Sequence, residues 1–373
     1  MSQHRAGRTG SFRRHILIGT FALASLAGSG LSLAADAGKD ATAQAAKHVV
    51  FAVGNPALAV DTAPYTSVPA AMNYWKGLDV KVLVTQGAIQ NLQALLTGQA
   101  DIANLGMSAM YSLATKHPEL QVISLAAGNI WHTAVPDNSP IKTEADLKGK
   151  TIGVQTLTSA SFLYGRAALV GAGLDPDKDV KWLPVGVGAA AANALKQHHI
   201  DAYASYDGPI GTIANISDTQ MRVLPSVMDD QRGTLGLVTT KKYLAANHDT
   251  VVAFLRGFNA GQHFAALNPL AAVQIHWKAH PDQKPTNVDE AKAIRQALSL
   301  VETRFKVMDQ PGTNGLVGYL DPPTVQKSLD FFFKNGVIEH PLKAAAVTAL
   351  DVAKEAAQFD AKAVERDAKE WAK

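Results

Sequence analysis

Two short stretches of this chain concentrate groups that can hold an anion or a strongly polar solute. Thr156, Thr158, Ser159 and Ser161 place four hydroxyls close together directly after the apolar run TIGVQ, where a strand hands over to a helix. Thr85-Gln86-Gly87-Ala88 stands in the same relation to an earlier apolar run, DVKVLV. A helix start leaves backbone N–H groups unpaired and carries a partial positive charge, so it favours oxygen acceptors. The hydroxyls add donors and can also accept. The expected chemistry is non-covalent capture of carboxylate, sulfonate, phosphate or nitrate oxygens, with Gln86 and Gly87 on one side and the hydroxyl run on the other. Thr158 or Ser159 should also cap its helix. Neither stretch contains Lys or Arg, so an anion there would rely on backbone and hydroxyl donors.

Four aromatic rings complete the candidate set. Tyr65, Trp131, His132 and Tyr206 fall near strand ends or where the chain crosses between its halves, and could stack on a planar solute. Each alone is more often a core residue. Asp207-Gly208-Pro209 follows the run AYASY; Asp207 with His132 could move a proton, but nothing beside them supplies a nucleophile or a metal. The sequence has no GxSxG, HExxH, P-loop or GxGxxG pattern. It has no cysteine, which excludes disulfides, thiolate metal sites, a cysteine nucleophile and a lipid-anchored N-terminal cysteine. His198-His199 reads as solvated surface, and Asp101 and Asp201 as turn or capping residues at the opposite strand ends. No cofactor or metal is expected, and nucleic acid is a poor partner.

The elements that would position these groups are written twice. Residues 79–101 (DVKVLVTQGAIQNLQALLTGQAD) and 179–201 (DVKWLPVGVGAAAANALKQHHID) align without a gap, one hundred positions apart. Asp79, Val80, Lys81, Leu83, Ala94, Leu95 and Asp101 recur as Asp179, Val180, Lys181, Leu183, Ala194, Leu195 and Asp201. Each copy reads as a strand, a turn of small residues, an amphipathic helix and a polar turn into a second strand. Such a unit is a right-handed crossover in a parallel sheet. Two copies a domain's length apart predict two α/β lobes, with a solute cleft at the carboxyl ends of the strands.

The N-terminus reads as an export signal over residues 1–37: four arginines, the uncharged run ILIGTFALASLAGSGLSLA, then small residues ending LAADA. Arg13-Arg14 loosely resembles a twin-arginine signal. The chain has 35 basic and 32 acidic residues. The leader takes four of the former and Asp36, so the remaining chain is formally neutral and carries no electrostatic signature of nucleic acid or membrane binding. Its length suits two domains at roughly 100–200 residues each.

Along that chain, strands are expected at His48–Val53, in GLDVKVLV, at Asp101–Leu105 and at Gln121–Ala126, with helices at Tyr65–Trp75, Ala88–Thr97 and Ser108–Lys116. Residues 130–137 cross to the second lobe, where Lys150–Val154 is a strand and Thr158 or Ser159 opens a helix. Residues 222–239 return. Helices follow at Thr250–Leu267, Leu270–Lys278, Val288–Met308 and Pro323–Asn335, with a helical tail over Ala344–Lys373. Lobe 1 is expected over 48–133 plus 236–373, and lobe 2 over 136–232.

The phrases NYWKGLDVKV, ALLTGQADIANLG, DNSPIKTEADLKGKTIGV, GLDPDKDVKWLPV, ALKQHHIDAYASYDGP and KSLDFFFKNGVI, in that order, span most of the chain after the leader. Together they resemble the extracytoplasmic solute-binding proteins of ABC importers, in the NMT1/SsuA-like branch that serves nitrate, sulfonates, taurine and thiamine-precursor pyrimidines. The resemblance implies a type II periplasmic-binding fold of the α/β class, with two lobes joined by two crossing hinge strands. It implies a periplasmic monomer that closes on one solute and delivers it to an inner-membrane permease. Carried onto this sequence, the contacts fall on the loop containing Asn55, on Gln86 and Gly87, on Leu105 to Met107, on Trp131 and His132, on Thr156 to Ser161, and on Asp207. Relatives that are enzymes depend on cysteine, which this chain lacks. The solute expected is a small organic anion, sulfonate-like or an aromatic carboxylate. A neutral heteroaromatic such as a pyrimidine is the alternative if Trp131 and Tyr65 line the cleft, and an enzyme using Asp207 the alternative across classes.

Overall fold

The computed structural model describes residues 46–55 and 58–371. The export signal expected at 1–37, and Pro56 and Ala57 in the first loop, lie outside the described residues. Ten strands are assigned among these residues: β1 (Lys47–Val53), β2 (Leu78–Val84), β3 (Ile102–Gly106), β4 (Leu120–Leu125), β5 (Trp131–Pro136), β6 (Thr151–Val154), β7 (Lys181–Pro184), β8 (Ala202–Tyr206), β9 (Met221–Val223) and β10 (Leu235–Thr240). They build two five-stranded sheets, β2-β1-β3-β10-β4 and β7-β6-β8-β5-β9.

The two orders are the same design. In the first sheet β1 is parallel to β2 and β3, while β10 is antiparallel to β3 and β4. In the second, β6 is parallel to β7 and β8, while β5 is antiparallel to β8 and β9. Each sheet thus receives its antiparallel strand from a chain that has just left the other. β4 and β5 are separated by residues 126–130, and β9 and β10 by residues 224–234. These two connections hold each other: Ala126 donates to the Leu235 carbonyl at 2.9 Å and Gly233 to the Ala126 carbonyl at 3.0 Å.

Parallel neighbours cannot be joined by a tight turn, so helices make the crossovers. The helices are α1 (Ser67–Ala71), α2 (Ala88–Leu96), α3 (Met107–Leu113), α4 (Ala160–Gly171), α5 (Ala189–Lys196), α6 (Asp207–Ser217), α7 (Lys241–Ala246), α8 (His248–Leu267), α9 (Pro269–Ala279), α10 (Glu290–Met308), α11 (Pro322–Lys334), α12 (Ala344–Val347), α13 (Asp351–Ala356) and α14 (Ala361–Glu370). β3 and β4 are buried along their whole lengths, as strands covered on both faces must be. α2 turns Asn91, Leu92, Ala94 and Leu95 inward, one stripe at helical spacing.

The repeat seen in the sequence is a structural repeat. α2 and α5 both lead into strands that begin one hundred residues apart, at Ile102 and Ala202. The aspartate before each strand does the same work. The Asp101 carboxylate accepts the Val50 backbone N–H at 2.8 Å, and the Asp201 carboxylate accepts that of Thr151 at 2.8 Å. The helix stops correspond too: Gly98 has φ +72° and His198 φ +56°. A histidine therefore occupies a left-handed position where the first copy has the residue best suited to it.

Three sequence expectations are corrected here. The helix expected at Tyr65–Trp75 is a 3-10 turn over Val60–Tyr65 followed by the single short α1; Pro64 and Pro69 each withdraw a backbone donor, and Asn73 turns left-handed at φ +55°. The tail is three short helices rather than one, interrupted where Thr348 bridges to Val122 beside β4. The turn at Asp207-Gly208-Pro209 opens α6, with Pro209 in the first turn, where its missing N–H costs nothing.

Candidate functional site

A cavity of ≈ 510 Å³ lies where the carboxyl ends of the two sets of parallel strands face each other. From the first lobe come Gly54 and Asn55 after β1, Gln86 to Gln90 at the start of α2, and Asn104 to Gly106 at the end of β3. From the second come Trp131 on β5, Gln155 to Ser161 around the start of α4, and Tyr206 at the end of β8. Asp61, Tyr65 and Arg304 also line it. Of the candidates drawn from the sequence, Asn55, Tyr65, Gln86, Gly87, Trp131, Thr156, Thr158, Ser159, Ser161 and Tyr206 all border this one space.

Three candidates do not. Met107 is fully buried, because its backbone N–H is spent on the Thr234 carbonyl at 2.9 Å and its side chain packs in the core. His132 follows Trp131 on β5, so the pleat turns it to the opposite face of the sheet; it borders a separate small pocket, and burial pulls its pKa below the usual imidazole range. Asp207 sits behind the lining and meets the site through Arg304.

Arg304 is the residue that reading along the chain misses. Its guanidinium is 4% exposed and ion-paired with two carboxylates, Asp207 and, at 3.4 Å, Asp61. It lies over the Tyr206 ring, 5.3 Å from the centroid. The three charged groups come from α6, the 3-10 turn and α10, more than two hundred residues apart at the extremes. Gly208 leaves room for the cluster, since a Cβ there would lie 3.2 Å from an Asp61 oxygen. The available sequence signal is that Val301, Arg304, Phe305 and Met308 form one apolar stripe on α10 with an arginine in it.

The electrostatics follow from two acids sharing one base. Burial pushes Asp61 up to about 6; the Arg304 guanidinium opposes that shift and the Asp207 carboxylate adds to it. Burial likewise raises the Tyr65 and Tyr206 phenols, with the Asp61 carboxylate as a further cause, so both stay neutral. Arg304 is the only basic side chain lining the cavity among the described residues, and its charge is already met. The remaining polar lining is neutral: amides from Asn55, Gln86, Gln90, Asn104 and Gln155, and hydroxyls at the start of α4.

The hydroxyl run is partly spent on its own helix. Ser159 caps α4, accepting the Phe162 N–H at 3.3 Å and donating to the Thr156 carbonyl at 2.7 Å. The Thr156 and Thr158 hydroxyls pair at 3.2 Å and are exposed to the cleft. The Ser161 hydroxyl is buried and without a protein partner. Trp131 forms the wall between these elements, 5.0 Å from the Tyr164 ring and edge-on to Tyr206 at 5.7 Å.

Comparison with known proteins agrees with this architecture. The family model described as NMT1/THI5 like matches residues 73–272. Provisionally designated binding proteins of Brucella abortus and Brucella suis are each 26% identical over 282 residues, covering 74% of this chain and 83% of theirs. Among solved structures, a Bordetella bronchiseptica protein superposes with a TM-score of 0.61 at 21% identity, over 84% of this chain and 97% of its own. The alkanesulfonate-binding protein SsuA from Xanthomonas axonopodis pv. citri, bound to MOPS, gives 0.60 at 16% identity, over 81% and 98%. The periplasmic aliphatic sulphonate binding protein SsuA of Escherichia coli gives 0.54 at 18% identity, over 80% and 96%. At these identities the structural likeness carries the fold, a two-lobe periplasmic-binding type II fold, and no more.

Proposed function

This chain belongs to the NMT1/THI5-like family, and from that premise we propose that it is the periplasmic substrate-binding protein of an ABC importer. It captures a small solute by closing two lobes over it and presents the closed form to an inner-membrane permease. The binding proteins it is similar to support this reading over that of an enzyme. No helix among the described residues is long and apolar enough to cross a membrane.

The observation that carries the solute class is the Asp61–Arg304–Asp207 cluster. A buried arginine flanked by two carboxylates has no charge to spare, so the cavity floor offers an anion no net attraction. Aromatic walls at Tyr65, Trp131 and Tyr206, with neutral amides between them, suit a planar, uncharged heteroaromatic whose N–H group meets Asp61. A small organic anion, sulfonate-like or an aromatic carboxylate, is the second reading. It is favoured by the starts of α2 and α4, which border the cavity from opposite lobes, and by the sulfonate-binding proteins that share the fold.

A thermal-shift screen of the exported form against pyrimidines, aromatic carboxylates, sulfonates and nitrate separates them. A solute at a hundred times its dissociation constant stabilises by about 2.7 kcal/mol. A response confined to neutral heteroaromatics is expected. A response confined to sulfonates or carboxylates would overturn the first reading in favour of the second.

A further inference from the structure

The first lobe's side of the cavity is tied together by a residue that does not face the solute. Asn91 on α2 is fully buried. Its side-chain oxygen accepts the Thr85 hydroxyl at 2.6 Å, and its amide nitrogen donates to the Asn104 carbonyl at 2.8 Å. The Thr85 hydroxyl in turn accepts the Gly87 N–H at 3.3 Å. Gly54 closes on the same point: a Cβ there would lie 2.9 Å from Gly87 Cα and 3.2 Å from the Asn91 amide nitrogen. One side chain therefore joins the loop after β2 and the end of β3, against the loop after β1. All three segments line the cavity through Gly54, Gly87 and Asn104.

The internal repeat shows that folding does not require this network. One hundred residues on, the positions of Thr85 and Asn91 are taken by Val185 and Ala191, while Ala204 stands at the position of Asn104, which contributes only its backbone carbonyl. Ala191 and Ala204 are buried, and Val185 packs partly buried against the cluster that holds Ala191. The same strand-helix-strand unit is built there without an amide at its centre; the Tyr203 hydroxyl donates to the Gly186 carbonyl at 2.8 Å instead. The matching loop, Gly186 to Gly188, does not line the cavity. The Thr85–Asn91 pair is present in the copy whose loop meets the cavity, and a single tyrosine hydrogen bond takes its place in the copy whose loop does not.

We infer that Asn91, acting with Thr85, is a positioning residue that fixes the first lobe's half of the solute site before closure. The second lobe's half closes onto this preformed surface. This rests on the reading of the cavity as a solute site, and the experiment separates the two. The double variant Thr85→Val with Asn91→Ala installs the second copy's residues in the first, and Asn91→Asp keeps the shape while setting a carboxylate oxygen against the Asn104 carbonyl. Amide hydrogen exchange in the unliganded protein, followed by mass spectrometry, reads the loops directly. The expected result is exchange at least about tenfold faster in peptides covering 53–55 and 86–89, with peptides covering 185–190 unchanged. Thr85→Ser alone, which keeps the hydroxyl, leaves protection as in the native chain. Unchanged exchange at 86–89, or an equal rise in both lobes, would overturn the inference, the latter marking a merely structural role. Calorimetry with benzenesulfonate and 4-aminopyrimidine as probes supplies the second arm. Roughly tenfold weaker binding of whichever probe the native chain holds supports positioning, and equal affinity in a variant with loosened loops overturns it. If the native chain binds neither probe, the solute class is at fault, while the exchange data still decide the role of Asn91.

Discussion

Asp61 shows how a single buried group ties this site to pH. Its carboxyl is 5% exposed, and burial outweighs the attraction of Arg304, so it titrates near 6 instead of in the ordinary carboxylate range. An acid whose folded pKa is raised binds protons more tightly when folded. The stability it confers is fully present below the unfolded value and is lost as pH rises from about 4 through about 6. A shift of this size corresponds to something on the order of 2–3 kcal/mol. Chemical denaturation at several pH values should therefore show the native chain losing stability across that window relative to Asp61→Asn, which cannot titrate. A difference between the two that stays constant with pH would show that Asp61 is ionised throughout. Arg304 makes the companion point. As a residue in a long C-terminal helix it looks like any solvated arginine, and only the apolar spacing of its neighbours marks it.

At the scale of elements, the two lobes meet through α3 and α4. The Tyr164 hydroxyl on α4 accepts the Ser108 N–H at the start of α3 and donates to the Thr234 carbonyl before β10, both at 2.9 Å. One hydroxyl thus ties the second lobe's cavity-bordering helix to the first lobe and to the returning crossover. The close approach has a steric requirement as well: a Cβ on Gly106 would lie 2.8 Å from the Ala160 Cβ. Tyr164→Phe should keep the ring packing but leave the Ser108 N–H unpaired, costing about 1–3 kcal/mol in urea unfolding. An unchanged midpoint would mean that the N–H finds another acceptor. The expected helix at Tyr65–Trp75 failed at this same scale. Its apolar spacing was right, but Pro64 and Pro69 divide it, and the 3-10 turn that results is what carries Asp61 and Tyr65 to the cavity.

For the whole molecule, the two sheets of matched topology are joined by the connections at 126–130 and 224–234, and the contacts of α3 with α4 and of α10 with α6 add to what holds the lobes in place. Hinge closure is the motion such a design permits. Saturating solute should reduce the radius of gyration in X-ray scattering and raise the unfolding temperature together. Stabilisation with no contraction would place binding on a rigid cleft and remove closure from the mechanism.

The α/β class and the duplicated strand-helix-strand unit are legible in the sequence, because hydrophobic periodicity and turn residues are local and survive in the linear order; the family was legible only as a resemblance carried by its ordered phrases. The sequence also marked Gln86-Gly87 and the Thr156–Ser161 run, since strand ends entering helices can be read locally. The character of the site comes from tertiary contacts instead. Whether Met107, His132 and Asp207 face the cavity depends on burial, on the alternation of a strand and on a helix start, which packing fixes. The charge balance depends on Arg304, brought from α10 to Asp61 and Asp207 by contacts between elements far apart in the chain. Long-range apposition of this kind leaves no periodic trace, and it is what turns a cleft lined with hydroxyls into one whose single cation is already paired.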